Sequence, residues 1–150
     1  MTLSLFLHVL SVVVWVGGMF FAYVCLRPVA ASTLEPPQRL TLWSGVLGKF
    51  FPWVWASVAL ILLSGLHMFM VMGGADAPHY TRTMLVLGVI MMLVFAHVFF
   101  APYGRLKRAV ASQDWPAGGH ALAQIRKLVG VNLVIGLVVI AVVYLGRALA

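Results

Sequence analysis

Five histidines stand in the chain, and three of them, His8, His67 and His97, fall inside long apolar runs. An imidazole in such a run is a ligand or a hydrogen-bonding bridge, because polar groups inside a membrane are costly and face the bundle interior or a partner. His8 lies about five residues from one end of its run, and His67 about five residues from the matching end of the next. In antiparallel helices rising about 1.5 Å per residue, these two rings come to similar depth. Each sits on a stripe of three- and four-residue spacing. One stripe is His8, Ser11, Trp15, Gly18 and Ala22; the other is Trp53, Ser57, Leu60, Ser64 and His67. Two neutral imidazoles projecting at one level into a bundle form a site for a metal or a metal-bearing cofactor.

Two chemistries fit this pair. Haem b takes histidine axial ligands in an apolar pocket and needs cations for its propionates. Arg82 and Arg147 are expected at the same end as His8 and His67, with Tyr80 and Tyr144 nearby in sequence. Arginine suits bidentate pairing with carboxylates, and Trp15 on the His8 stripe would line the pocket. Copper is the rival. The run His67-Met68-Phe69-Met70-Val71-Met72 sets an imidazole beside three thioethers, the soft donors that copper favours. The three thioethers cannot all share one helix face, so Met68 and Met72 are the copper candidates, with His79 as an entry ligand from the loop beyond. At the other end of the bundle, His97 and Asn132 are expected at similar depth on neighbouring helices, either bonded to each other or forming a quinone or proton site. A third reading has no cofactor: the histidines simply bridge helices.

The elements that position these residues follow from composition. Of 150 residues, 63% are hydrophobic and 9% charged, and the mean hydropathy is +1.07. A soluble domain has about 25% charged residues, so an ordinary globule, a disordered chain and a disulfide-rich module are all excluded. The single cysteine, Cys25, allows no internal disulfide and reads as a small apolar core residue. Four runs are long enough to cross a bilayer: about 3–26, 51–72, 83–101 and 128–145. Span one is expected to stop at Arg27-Pro28, span two at Gly73-Gly74 and span three at Pro102. Span one has an uncharged start and a long apolar run, so it reads as a membrane helix rather than a cleaved leader.

The charges give an orientation. Net charge is +7, but the cations lie between apolar runs, which fits membrane topology and anionic headgroups rather than nucleic acid. The first and third connections carry Arg27, Arg39, Lys49, Arg105, Lys107, Arg108, Arg126 and Lys127, eight of the ten cations. The positive-inside rule puts those connections in the cytoplasm and both termini outside, in the periplasm of a bacterial inner membrane. Thr33-Leu34-Glu35-Pro36-Pro37 and Asp114-Trp115-Pro116 read as helix starts. Gln38–Phe50 and Ala117–Lys127 read as helical extensions of spans two and four, with a kink expected at Pro52. Trp43, Trp53, Tyr103 and Trp115 are expected as interfacial anchors, and His120 as an exposed residue. No phosphate-binding loop, zinc-protease motif or paired acids are present, so hydrolytic acid–base chemistry is not expected.

Leu7-His8, Trp15-Val16-Gly17-Gly18-Met19-Phe20-Phe21, Leu26-Arg27-Pro28, Phe50-Phe51-Pro52-Trp53, Phe99-Phe100-Ala101-Pro102-Tyr103, Asp114-Trp115-Pro116 and Val129-Gly130-Val131-Asn132-Leu133 together resemble the pattern of CopD-like membrane proteins over nearly the whole chain. The first-span pattern also resembles the HemJ-type protoporphyrinogen oxidases, four-helix membrane proteins of similar length. The first resemblance implies copper uptake or resistance. The second implies haem b and porphyrinogen oxidation, with the ligand role of the first-span histidine carried onto His8.

Taken together, the sequence predicts an all-α polytopic membrane protein. It is an antiparallel bundle of four transmembrane helices forming one domain over residues 1–150, in contact with the lipid bilayer. The leading functional expectation is a haem b redox protein, a haem-dependent membrane oxidoreductase. It would pass electrons near the periplasmic face to a quinone or periplasmic redox partner, with His8 and His67 as axial ligands. Copper binding through the same histidines is the alternative. A homo-oligomer is compatible with either, and no nucleic-acid partner is expected.

Overall fold

The structure is a computed structural model and describes residues 1–149. Four helices, each long and apolar enough to cross a membrane, make up nearly all of it: α1 (Thr2–Thr33), α2 (Pro36–Val71), α3 (His79–Ala111) and α4 (Trp115–Leu149). α1 packs chiefly on α2 and α3 on α4. In the most apolar window of each helix, 22% of the residues in α1 and α2 and 17% in α3 and α4 are buried. The outward faces are therefore large side chains such as Leu3, Val13, Leu63, Leu93 and Val134, all exposed. Such a surface would aggregate in water, whereas hydrocarbon covers it and the helices satisfy their own backbone groups. The chain is a polytopic membrane protein in contact with the lipid bilayer.

The helices run further than the apolar spans. α1 does not stop at Arg27-Pro28 but continues to Thr33, across a π-helical stretch, Phe21–Leu26. Pro28 has no N–H to give a carbonyl one turn back. The wider π register just before it, with Arg27 N–H bonded to Ala22 O, carries the chain past that gap. Thr33 consequently ends α1 rather than capping α2. The N-cap of α2 is Glu35, in extended conformation, followed by two prolines that suit a first turn. α2 then passes through Pro52 as one helix. It ends where Gly73 and Gly74 take positive φ of 104° and 57°, backbone that L side chains rarely adopt. α3 is broken at Ala101 (φ −108°, ψ −85°), because the residue before a proline avoids helical angles. It resumes as the amphipathic segment Pro102–Ala111. α4 starts on Asp114, whose Oδ1 accepts from Ala117 N–H at 3.3 Å, and runs as one helix through its polar and apolar halves.

The core is aromatic. Phe51 stands at 4.9 Å from Tyr103 and 5.3 Å from Phe95 between ring centres, both edge-to-face, the favoured arrangement of ring quadrupoles. Trp43 and Tyr103, expected as interfacial anchors, are buried in this core. The helical extensions of α2 and α3 pack against each other and against α4, so aromatic rings at that level face protein. Trp53 is exposed. Cys25 faces outward rather than into the core, since π residues 21–26 contribute no buried side chain.

Candidate functional site

Ser4 and His8 are one turn apart on α1, and Ser64 and His67 are nearly one turn apart on α2. Because the helices are antiparallel neighbours, the four side chains form two crossed pairs. Ser4 Oγ lies 2.9 Å from His67 Nδ1, and His8 Nδ1 lies 3.0 Å from Ser64 Oγ. The rings are therefore staggered rather than level: His8 is about one turn, some 5 Å, deeper than His67.

The proton count orients His8. The Ser64 hydroxyl has one proton, and it goes to the Leu60 carbonyl on its own helix, a common back-bond for serine inside a helix. With that proton on Leu60, Ser64 Oγ accepts from His8 in the tautomer that carries Nδ1–H. This tautomer leaves the Nε2 lone pair of His8 free for a ligand. An imidazole fixed through one nitrogen by a second group is how metal-binding histidines are held. Gly65 makes the approach between α1 and α2 close enough. A Cβ at that position would stand 3.2 Å from His8 Cε1 and 3.6 Å from Nδ1.

A cavity of about 420 Å³ opens beside His8 between the four helices. Its polar groups are His8, Thr81, Tyr144 and Arg147, with Trp15 deeper on the wall. Thr81 Oγ1 is buried without a hydrogen-bond partner. Three of the five residues expected around a haem, His8, Trp15 and Arg147, thus line one space. The other two, His67 and Arg82, do not line it and are exposed. Among the copper candidates, Met68 is buried and Met72 half-buried, while His79 is exposed at the start of α3. Met68 stands one turn from Ser64 on the inward face of α2. Met70 is 72% exposed and shares the outward face with His67. Among the described residues, no three of His, Cys, Asp and Glu form a metal-binding group, so any ion here must recruit thioether or further ligands.

His97 is exposed on α3. Asn132 is buried and donates from Nδ2 to the Met91 carbonyl at 3.2 Å rather than to His97, which separates the two halves of the expected inner polar site. His120 is exposed, as expected. The stripe expected on α2 is also rotated: Ser57 and Ser64 are buried, but the residues beside them are Phe51, Val54 and Met68, while Trp53 and His67 turn outward. Ser4 and Thr81 had no place in the sequence reading, whereas Gly65 is among the glycines whose spacing within the spans predicts close helix approach. The signal for Ser4 was its spacing, since a serine one turn from a histidine recurs on both helices.

The chain is thus a four-helix membrane protein with two serine-held imidazoles at one end of the bundle. The family follows from comparison: a family model described as CopD, copper resistance protein D, matches residues 44–145. The chain belongs to the copper resistance protein D family, and is a membrane protein linked to copper resistance. The matched segment contains Ser64, His67, the methionine run, His79, Arg82, His97 and Asn132; His8, Trp15 and Arg147 lie outside it. No curated protein and no solved structure matches the chain.

Proposed function

We propose that this protein handles copper as cargo in a bacterial inner membrane, with both termini and the His8–His67 end of the bundle on the periplasmic side. The observation that carries the reading is the crossed pair of Ser–His hydrogen bonds, in a chain of the copper resistance protein D family. His67, exposed beside Met70, is the outer acceptor for the ion. His8, one turn deeper with its Nε2 lone pair free, is the next, and buried Met68 offers a thioether on the inward face. Imidazole and thioether donors without a carboxylate suit the soft cuprous ion. The orientation rests on the eight cations of the two connections at the opposite end.

The haem b reading is supported by the cavity that His8 and Arg147 share. Two axial histidines on one haem, however, would require His67 to leave Ser4 and turn into a cavity it does not line. The family match favours copper.

One preparation separates the two. Detergent-purified protein from copper-supplemented cells should carry near-stoichiometric copper by elemental analysis and show no Soret band. His8→Ala and His67→Ala should each reduce the copper to background. A Soret band with an α band that sharpens on dithionite would replace copper by haem b. Unchanged copper in both variants would remove the histidines from the site.

A further inference from the structure

At the end of the bundle opposite His8 and His67, a second cavity of about 300 Å³ lies between all four helices. Arg27, Arg39 and Arg126 line it, together with Trp15, Trp43 and Trp115. Position along the helices gives its long dimension. Trp15 is twelve residues from Arg27 on α1, about 18 Å at 1.5 Å per residue. An interior of about 300 Å³ drawn out over that length is a channel about one hydrocarbon chain wide, with arginines at one end and rings along it.

The arginine end carries excess charge. The chain has ten cations and three acids. Asp76 belongs to the turn at the other end of the bundle and Asp114 caps α4, which leaves Glu35 against three guanidinium groups. Arg27 lies over the Tyr23 ring at 4.4 Å and donates to Tyr23 O, and Arg39 donates to Ala31 O. These contacts hold the side chains at the rim and neutralise neither. The wall adds a second observation. Asn132, six residues and about 9 Å from Arg126 along α4, is 3% exposed, lines this cavity, and has its Oδ1 buried without a partner. A buried acceptor with nothing to accept from is costly, so the channel is a filled space rather than a dry void.

We propose that this channel binds an acyl chain carrying an acidic headgroup. The acid sits among Arg27, Arg39 and Arg126, and the chain lies against Trp43 and Trp15. Basic pockets between membrane helices on the cytoplasmic side hold anionic lipid headgroups in this way, and guanidinium forks match phosphate and carboxylate alike. A hydroxyl of the ligand, or a water carried in below the headgroup, supplies the donor that Asn132 Oδ1 lacks. The site is independent of the copper reading.

The tryptophans provide the test. Five are present, and with Trp53→Phe and Trp55→Phe the remaining three all line the channel. This double variant would be reconstituted into phosphatidylcholine vesicles. Equal mole fractions of brominated phosphatidylglycerol, brominated phosphatidylcholine or dibromostearate would then be added and tryptophan fluorescence read. At least one acidic probe should quench at least twofold more than brominated phosphatidylcholine. Phosphatidylglycerol alone doing so assigns a membrane phospholipid, and dibromostearate alone a free fatty acid. Arg27→Gln, Arg39→Gln and Arg126→Gln combined should bring the acidic probes down to the phosphatidylcholine level. Arg126→Gln alone, the least disruptive of the three, should lose part of the preference if the triple variant misfolds. Equal quenching by all three probes, or a preference that survives the arginine variants, would overturn the proposal.

Discussion

His8 Nδ1 and Ser64 Oγ meet at 3.0 Å across the α1–α2 interface, and the serine proton is already committed to Leu60. One hydroxyl thereby holds the tilt of an intramembrane imidazole and suits its Nδ1–H tautomer. If His8 takes copper, Ser64 acts through it as a positioning residue. Ser64→Ala should weaken copper binding about 10- to 100-fold, the usual effect of losing a group that orients a ligand. Ser64→Thr, which keeps the hydroxyl, should recover most of it. Competition against a chromophoric cuprous chelator reads both, and equal affinity in Ser64→Ala and the parent would end the assignment.

Gly65 sets how close α1 and α2 come at the same level. Its missing Cβ would stand 3.2 Å from His8 Cε1, so Gly65→Ala must push the ring by a few tenths of an ångström. Alanine is also the better helix former, by about 1 kcal/mol. The expected result is a split: copper affinity falls at least several-fold, while thermal unfolding in detergent stays the same or rises.

Asn132 provides a stability test once the channel has been emptied of lipid. Its Nδ2 bonds the Met91 carbonyl and its Oδ1 bonds nothing. Interhelical polar bonds in membranes average about 0.6 kcal/mol, and burying an unpaired acceptor costs about 1–3 kcal/mol. In protein stripped of bound lipid, where Oδ1 has lost the ligand's donor, Asn132→Leu should therefore leave stability unchanged or raise it. Asn132→Asp puts a carboxylate into the span, where acids cost about 2.5–3.5 kcal/mol, and should lower it. Unfolding in a graded denaturing detergent series would rank the three proteins, and Asn132→Leu falling below the parent would contradict the account.

Phe51 touches Phe95, Phe99 and Tyr103 with ring centres 5.3, 6.1 and 4.9 Å away, tying α2 to α3 where α3 breaks. Phe51→Ala should cost about 3–5 kcal/mol by analogy with soluble cores, and Phe51→Leu less than half of that. Trp53→Ala, at a residue that is 67% exposed on the same helix, should cost far less. Comparable losses at the two positions, measured by thermal melts, would mean that the ring cluster is not what joins the helices.

The proposed orientation is checked with fusions. Alkaline phosphatase joined after Leu149 should be active, and inactive when inserted after Gln113 in the connection between α3 and α4. The reverse pattern would move the copper end to the cytoplasm.

The four crossings were legible because a membrane imposes length and apolarity directly on the chain, and Gly73-Gly74 and Pro102 mark breaks through local backbone sterics. The positions of Trp43 and Tyr103 were not legible. An aromatic near a span end reads as an interfacial anchor unless another helix is known to continue beside it, and here α2 and α3 both do. The depth match of His8 and His67 came from counting residues to the span ends, which is good to about a turn. The real offset is one turn, and only the serine partners reveal it. The outward turn of His67 was hidden for a related reason. A stripe on an apolar helix has no polar face to fix its angle, so a rotation of one position leaves the pattern looking the same.

The π stretch Phe21–Leu26 has a consequence for how the arginine rim tolerates change. A π turn accommodates about one residue more than the α turn it replaces, and one residue in a helix is worth about 100° of rotation. Everything after Leu26 is therefore phase-shifted relative to Trp15 and Met19 by that amount. In that phase Arg27 shares a cavity with Arg39 and Arg126. Deleting any one residue between Phe21 and Leu26 would restore a regular helix and leave Arg27 in its present phase, because eleven α residues turn through the same angle as twelve that include the π turn. At this point the helix carries one residue more than its phase requires, and its loss would be absorbed locally.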